Sequence, residues 1–122
     1  MATKANRTDF KTKPERLAKD IIDYLLKKDM LEDTLIYVGG KRYFAKSTSW
    51  DEVYVEENIN PKDYCEYAGN ILSISTEGFL YDALNYGFEW NSKVPDELDA
   101  IFKKYGYYYE MCTSWFLTAV EL

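Results

Sequence analysis

The chain has 122 residues, of which 47% are hydrophobic and 17% aromatic, and its formal net charge is −6. This length fits one domain, and the apolar content excludes an intrinsically disordered chain because it can offset the chain entropy lost on folding. The sequence contains no histidine and no apolar run of membrane length, which excludes Ser-His and Cys-His nucleophiles and a membrane-spanning helix.

The N-terminal part divides into a tail and a helix. Residues 1–12 are rich in charged and polar side chains and predict a flexible tail, whereas residues 13–122 predict a single α+β domain. Thr12 is suited to cap a helix, and Pro14 suits its first turn, where a missing N–H group costs nothing. Apolar residues then recur at helical spacing, which predicts a helix over about residues 13–29.

A hairpin and a further strand follow this helix. Runs of β-forming residues at 34–38 and 41–45 flank a Gly-Gly pair, which readily takes the positive φ angles of a two-residue turn. The stretch WDEVYVEE, residues 50–57, alternates apolar and polar side chains. This alternation predicts a strand with one buried face.

The second half of the chain mixes short helices and strands. Residues 61–67 predict a short helix or an irregular turn, residues 71–76 a strand, and residues 78–86 a short helix. A further helix begins near Pro95 and ends at Gly106, because proline fits the first turn and glycine the position after the last.

The C-terminal end predicts a second hairpin, with strands at 107–111 and 115–120 joined across residues 112–114. Together the elements predict an α+β fold. We expect a mostly antiparallel sheet of about five or six strands with two or three helices packed on it.

Charge is distributed unevenly along the chain. Residues 1–46 hold 11 Lys and Arg against 7 Asp and Glu, whereas residues 47–122 hold 4 against 14. In residues 47–92, Lys62 is the only basic residue against nine acids. Such an asymmetry steers association with a basic partner and argues against direct binding of nucleic acid.

The acidic stretch around residues 51–67 is the candidate binding surface. On a strand, Glu52, Tyr54 and Glu56 would share one face at a spacing of about 6.6–6.8 Å, similar to the spacing of successive phosphates. Carboxylates at this spacing, beside tyrosines that stack on arginine, suit a groove made for DNA or RNA. The predicted partner-binding residues are Asp51, Glu52, Tyr54, Glu56, Glu57, Asp63, Tyr64, Glu66 and Tyr67.

The competing interpretation of this stretch is an ordinary solvated sheet face, where acids also discourage aggregation at sheet edges. The near absence of lysine over these residues favours the binding interpretation. A surface shaped only by solubility normally mixes charges of both signs.

Catalytic and metal-binding motifs are not evident. The Gly39-Gly40-Lys41 run lacks the spacing of a phosphate-binding loop and fits hairpin turn chemistry better. Cys65 and Cys112 form no CxxC pair, and we expect reduced, partly buried thiols. We therefore expect a protein without cofactor, metal or catalytic residue. The alternative is a small carboxylate-dependent enzyme that binds a divalent metal between Glu56 and Glu66.

Segments such as STEGFLYDALNYG and KKYGYYYE, with the short length and the acidic, tyrosine-rich strands, point to a known group of proteins. In these features the chain resembles the small acidic accessory proteins of phages and mobile elements of low-GC Gram-positive bacteria, several of which are anti-CRISPR or antirestriction proteins. The resemblance implies a non-enzymatic inhibitor that occupies the basic nucleic-acid or PAM-reading groove of a defence nuclease, most plausibly a type II CRISPR nuclease.

The expected partner is therefore a basic nucleic-acid-binding protein in the host bacterial cytosol, with no direct contact to nucleic acid or membrane. An antitoxin or immunity protein that neutralises a basic toxin is the alternative, since it too needs an acidic face. A monomer and a homodimer both remain open.

Overall fold

A seven-stranded antiparallel sheet runs through the chain, in the strand order β1-β4-β3-β2-β5-β7-β6. The computed structural model describes residues 2–46, 49–66, 68–86 and 92–122. The strands are β1 (Thr3–Lys4), β2 (Thr34–Val38), β3 (Lys41–Ala45), β4 (Val53–Glu56), β5 (Leu72–Thr76), β6 (Tyr107–Thr113) and β7 (Phe116–Glu121).

Three helices contribute to the core on one face of the sheet: α1 (Lys13–Lys27), α2 (Phe79–Asn85) and α3 (Val94–Lys104). Short 3-10 turns at Trp50–Glu52 and Pro61–Asp63 lie between strands. The predicted α+β class is confirmed, with one or two strands more than the five or six expected. In the described part of the chain, none of the helices has the length and apolar character that crossing a bilayer requires.

The main core forms where the helices meet the central strands. Ile36 pairs with Ile74, and Ile74 pairs with Leu117, so these three side chains form a row across β2, β5 and β7. All three are fully buried against Leu25 of α1 and Phe102 of α3. These strands are buried on both faces, and the side chains that alternate toward the helices meet the apolar stripe of α1 in one layer.

The start of α1 carries a complete capping box. The Thr12 hydroxyl accepts a hydrogen bond from the Glu15 backbone N–H at 3.2 Å, and the Glu15 carboxylate accepts one from the Thr12 backbone N–H at 2.9 Å. The hydrogen bond from the Thr12 backbone is the main reason why the pKa of Glu15 lies below its usual value. The predicted cap at Thr12 is confirmed.

Removing this cap should measurably destabilise the fold. We expect Thr12→Ala to lower the free energy of unfolding by about 1 kcal/mol, because an N–H group at the helix start loses its acceptor. Urea denaturation measures the change, with Thr12→Ser as the matched control, since serine retains the hydroxyl. Equal stability of the alanine and serine variants would contradict the role of the cap.

The first hairpin is confirmed, and the second differs in its turn. Gly39 and Gly40 have φ angles of 59° and 75°, as the two-residue turn requires. At the C-terminus, β6 continues to Thr113 with a bulge after Met111, so the turn is formed by Ser114 and Trp115 instead of residues 112–114. Trp115, predicted to lie in a strand, is instead in the turn and 39% exposed. The bulge adds an unpaired residue and shifts the alternation that the prediction used.

The N-terminal segment differs from the flexible tail expected for residues 1–12. Thr3 and Lys4 pair with Val55 and Tyr54 and add the seventh strand to the sheet. Phe10 is 7% exposed, and its ring packs against the rings of Tyr43 and Trp50, at centroid distances of 5.1 and 5.8 Å. A two-residue strand and a single anchoring aromatic produce no periodicity that a sequence could show.

The connection between β4 and β5 determines where the acidic residues lie. These strands are separated in the sheet by β3 and β2, so residues 57–71, here called the connecting segment, must pass both strands. Ile59, Cys65 and Ala68 of this segment pack on the sheet face opposite the helices, here called the outer face. The predicted acidic stretch is therefore part strand and part crossing segment.

Candidate partner-binding surface

Strand register places an aromatic and charged cluster on the outer face. Arg42 pairs with Glu56 and Phe44 pairs with Tyr54 between β3 and β4, while Tyr43 and Val55 point toward the helices. Because side chains alternate along a strand, Arg42 and Phe44 share the outer face with Glu56 and Tyr54. The acidic strand therefore has cationic and aromatic neighbours.

The first half of the cluster is formed by Glu52, Tyr54 and Phe44. The Tyr54 hydroxyl donates a hydrogen bond to the Glu52 carboxylate at 3.3 Å, and the Tyr54 ring stacks on Phe44 with centroids 5.8 Å apart. The Lys46 ammonium lies over the Tyr54 ring, 4.9 Å from its centroid. The Glu52 charge raises the pKa of the Tyr54 phenol above its usual value, so the phenol remains a donor.

The second half is formed around Arg42. Its Nε and Nη2 atoms donate to Glu56 Oε1 at 3.0 and 2.8 Å, and its guanidinium lies over the rings of Tyr64 and Tyr37, at 4.8 and 5.9 Å from their centroids. Burial lowers the pKa of Arg42, but hydrogen bonds with Tyr37 and Glu56 outweigh burial and raise the pKa above its ordinary value. Glu56 is therefore held in an ion pair with Arg42, which partly neutralises its charge.

The connecting segment is anchored on the outer face by apolar contacts. Cys65 and Ala68 are buried against Tyr37 and Phe116, and the Gly69 N–H donates to the Thr118 hydroxyl at 3.0 Å. A Cβ atom at Gly69 would lie only 2.7 Å from that hydroxyl oxygen, so the close approach requires glycine.

Three of the remaining predicted acids lie on the connecting segment, and the fourth, Asp51, lies in the 3-10 turn before β4. Asp51, Glu57, Asp63 and Glu66 are exposed, and Tyr64 is 48% exposed beside them. Within the described residues none of these four carboxylates forms an ion pair. Tyr67 lies outside the described residues.

Ion pairs are concentrated on the other side of the molecule. Five of the six in the described part of the chain involve a carboxylate of α1 or α3, and the sixth joins Arg42 to Glu56. All 15 Lys and Arg residues lie in the described ranges. The carboxylates of the helical layer are thus largely neutralised within the chain, whereas those of the connecting segment are not.

Folding also changes the charge balance expected from the sequence. The predicted single-signed surface is wrong along β4, because β1 and β3 bring basic residues beside it: Lys4 pairs with Tyr54, and Arg42 pairs with Glu56. These bases precede residue 47, outside the acid-rich window. The two-residue turn of the first hairpin sets the register of β3 against β2, but nothing in the sequence shows that β4 pairs with β3.

A second group of acids, which the predicted site did not include, borders a concave region of about 200 Å³. Glu32 and Asp33 come from the loop before β2, and Glu77 and Asp82 from the region after β5, around the 55% exposed Phe79. Residues far apart in sequence meet here because β2 and β5 are neighbours, with Thr34 opposite Thr76.

Neither Cys65 nor Cys112 takes part in a disulfide in the structure. Cys65 is buried, Cys112 packs against the same apolar cluster, and burial raises the pKa of the Cys112 thiol. In the ranges that the structure describes, no three His, Cys, Asp or Glu side chains are grouped so that they could hold a metal ion.

Comparison with known proteins finds no match for this chain. No protein-family model matches it, and neither a curated protein nor a solved structure shows significant similarity.

Proposed function

We propose that the chain is a non-enzymatic inhibitor that binds the basic nucleic-acid groove of a bacterial defence nuclease in the host cytosol, with a type II CRISPR nuclease as the leading candidate. The connecting segment and the turn before β4 form the binding surface. Asp51, Glu57, Asp63 and Glu66 take the place of phosphates, and Tyr64 provides an aromatic contact beside them.

One observation carries this proposal. Of the eight carboxylates between residues 51 and 82, only that of Glu56 is in an ion pair within the described residues, although 15 basic residues are available in the chain. Exposed charges of one sign repel each other, and a basic partner relieves that repulsion. Guide-directed nucleases hold their heteroduplex in a positively charged channel and read the PAM with arginines, so they offer a matching surface.

The proposal predicts a charge-dependent inhibition. A variant with Asp51→Asn, Glu57→Gln, Asp63→Asn and Glu66→Gln should bind a guide-loaded type II CRISPR nuclease about 30-fold or more weakly, since four charge contacts of roughly 0.5–1 kcal/mol each are lost. Affinity of the unaltered chain should also fall with added salt, because exposed charges are screened. Fluorescence anisotropy measures binding, and cleavage of target DNA measures inhibition.

The matched control removes four exposed carboxylates elsewhere, through Asp9→Asn, Asp29→Asn, Asp96→Asn and Glu121→Gln. This control has the same net charge and should retain binding. If the two variants lost the same binding affinity, the loss would be an effect of net charge alone. That result would contradict the assignment of these four carboxylates to the binding surface. If the chain inhibited neither a type II CRISPR nuclease nor a restriction enzyme, the proposed class of partner would be wrong. Salt-sensitive binding to a basic toxin would instead support the function of an antitoxin.

A further inference from the structure

The outer face already shows how it holds a guanidinium group. Arg42 donates two hydrogen bonds to one carboxylate oxygen of Glu56 while its planar group lies over the rings of Tyr64 and Tyr37. A carboxylate at the edge and aromatic rings at the face together satisfy an arginine, because the guanidinium has in-plane donors and a cationic face.

The same combination occurs a second time on this face without an arginine. Glu52 supplies the carboxylate, and the stacked rings of Tyr54 and Phe44 supply the aromatic face. The only cation seated on the Tyr54 ring in the described structure is Lys46, whose side chain is exposed. Lysine offers a point charge on a flexible stem and cannot stack as a planar group does.

We propose that Glu52, Tyr54 and Phe44 form a receptor for an arginine side chain of the basic partner, and that Lys46 occupies this receptor until the partner displaces it. This inference rests on the proposed function and names the chemistry that the partner presents. The arginine stacks on the Tyr54 ring and donates to the Glu52 carboxylate, as Arg42 does with Tyr64 and Glu56.

The contact of the Lys46 ammonium with the Tyr54 ring leads to a specific prediction. Lys4 lies opposite Tyr54 on β1, so two basic residues of the chain border the receptor. A partner arginine must displace the Lys46 ammonium from the ring, which costs part of its binding free energy. Removing Lys46 should therefore strengthen arginine binding. Removing a surface lysine far from the receptor should change the affinity little, because its charge is screened over that distance.

The test titrates the full chain with hexa-arginine and, separately, with hexa-lysine, and follows chemical shifts of assigned NMR resonances. We expect hexa-arginine to shift the Tyr54 and Phe44 ring signals and the Glu52 amide, with affinity at least about threefold higher than that of hexa-lysine. Equal affinities, or shifts confined to other acidic residues such as Glu32 and Glu77, would overturn the proposal.

Variants with matched controls complete the test. Lys46→Gln should bind hexa-arginine about two- to fivefold more tightly than Lys27→Gln, which removes the same charge from an exposed position on α1. Glu52→Gln and Tyr54→Leu should remove the arginine preference, whereas Tyr54→Phe should retain most of it because the ring remains. If Lys46→Gln and Lys27→Gln bind equally, the seated-lysine role is wrong.

These outcomes can be told apart from the fate of the proposed function. If the chain bound hexa-arginine preferentially but inhibited no nuclease, the receptor would stand and its partner would be a different basic protein. Nuclease inhibition without arginine preference at Tyr54 would retain the acidic surface and remove the receptor.

Discussion

Glu56→Lys should lower the free energy of unfolding by about 2–3 kcal/mol, whereas Glu57→Lys should change it by less than about 0.5 kcal/mol. The two glutamates are neighbours in sequence, but only Glu56 is held by Arg42, through hydrogen bonds of 3.0 and 2.8 Å. The side chains of this pair are only 16% and 26% exposed, so removing one partner leaves a charge with poor solvation. Glu57 is exposed and forms no ion pair in the described part of the chain.

Urea denaturation of the two single variants gives these free energies directly. The result matters for the binding surface, because a loss of partner binding in Glu56→Lys would report a damaged fold, whereas a loss in Glu57→Lys would report a lost contact. Equal stabilities of the two variants would mean that the Arg42 pair contributes nothing and that Glu56 is available to a partner after all. A double variant with Arg42→Met and Glu56→Met tests the pair further, since removing both charges should cost less than removing one.

Phe102→Ala should lower the free energy of unfolding by about 3–5 kcal/mol, the range typical of large-to-small changes in a core. Phe102 is fully buried on α3, and its ring packs against Tyr109 of β6 with centroids 5.5 Å apart. The neighbouring strand and helix cannot fully close a void of that size, because α3 is also held to β6 by the Tyr109 hydroxyl, which lies 3.5 Å from the Pro95 carbonyl oxygen.

Thermal and urea unfolding measure this loss, with Phe102→Leu as the control that retains most of the volume and should cost clearly less. Because α3 lies on the face opposite the proposed binding surface, the folded fraction of either variant should bind a partner as the unaltered chain does. A selective loss of binding in the folded Phe102→Leu variant would instead show that the helical layer takes part in recognition.

Local patterns in the sequence were sufficient for most of the secondary structure. Thr12, Pro14 and the apolar spacing determine α1, and the Gly-Gly pair determines the first hairpin, because capping, positive φ angles and side-chain periodicity act between residues close in the chain. Together these elements were enough to predict an α+β protein with an antiparallel sheet. Where local signals were weak, as at the two-residue β1 or the bulge near Cys112, the predictions missed.

The character of the binding surface was decided only by the tertiary structure. Pairing of β4 with β3 and β1 brings Arg42 to Glu56 and Lys4 to Tyr54, which neutralises part of a stretch that is acidic in sequence. The passage of residues 57–71 past β3 and β2 leaves Asp63 and Glu66 exposed, without an ion pair within the described residues. The sequence alone determined how many charges the chain carries and how its local elements form. Which charges remain unpaired depends on contacts between strands distant in the chain, and no local interaction encodes those contacts.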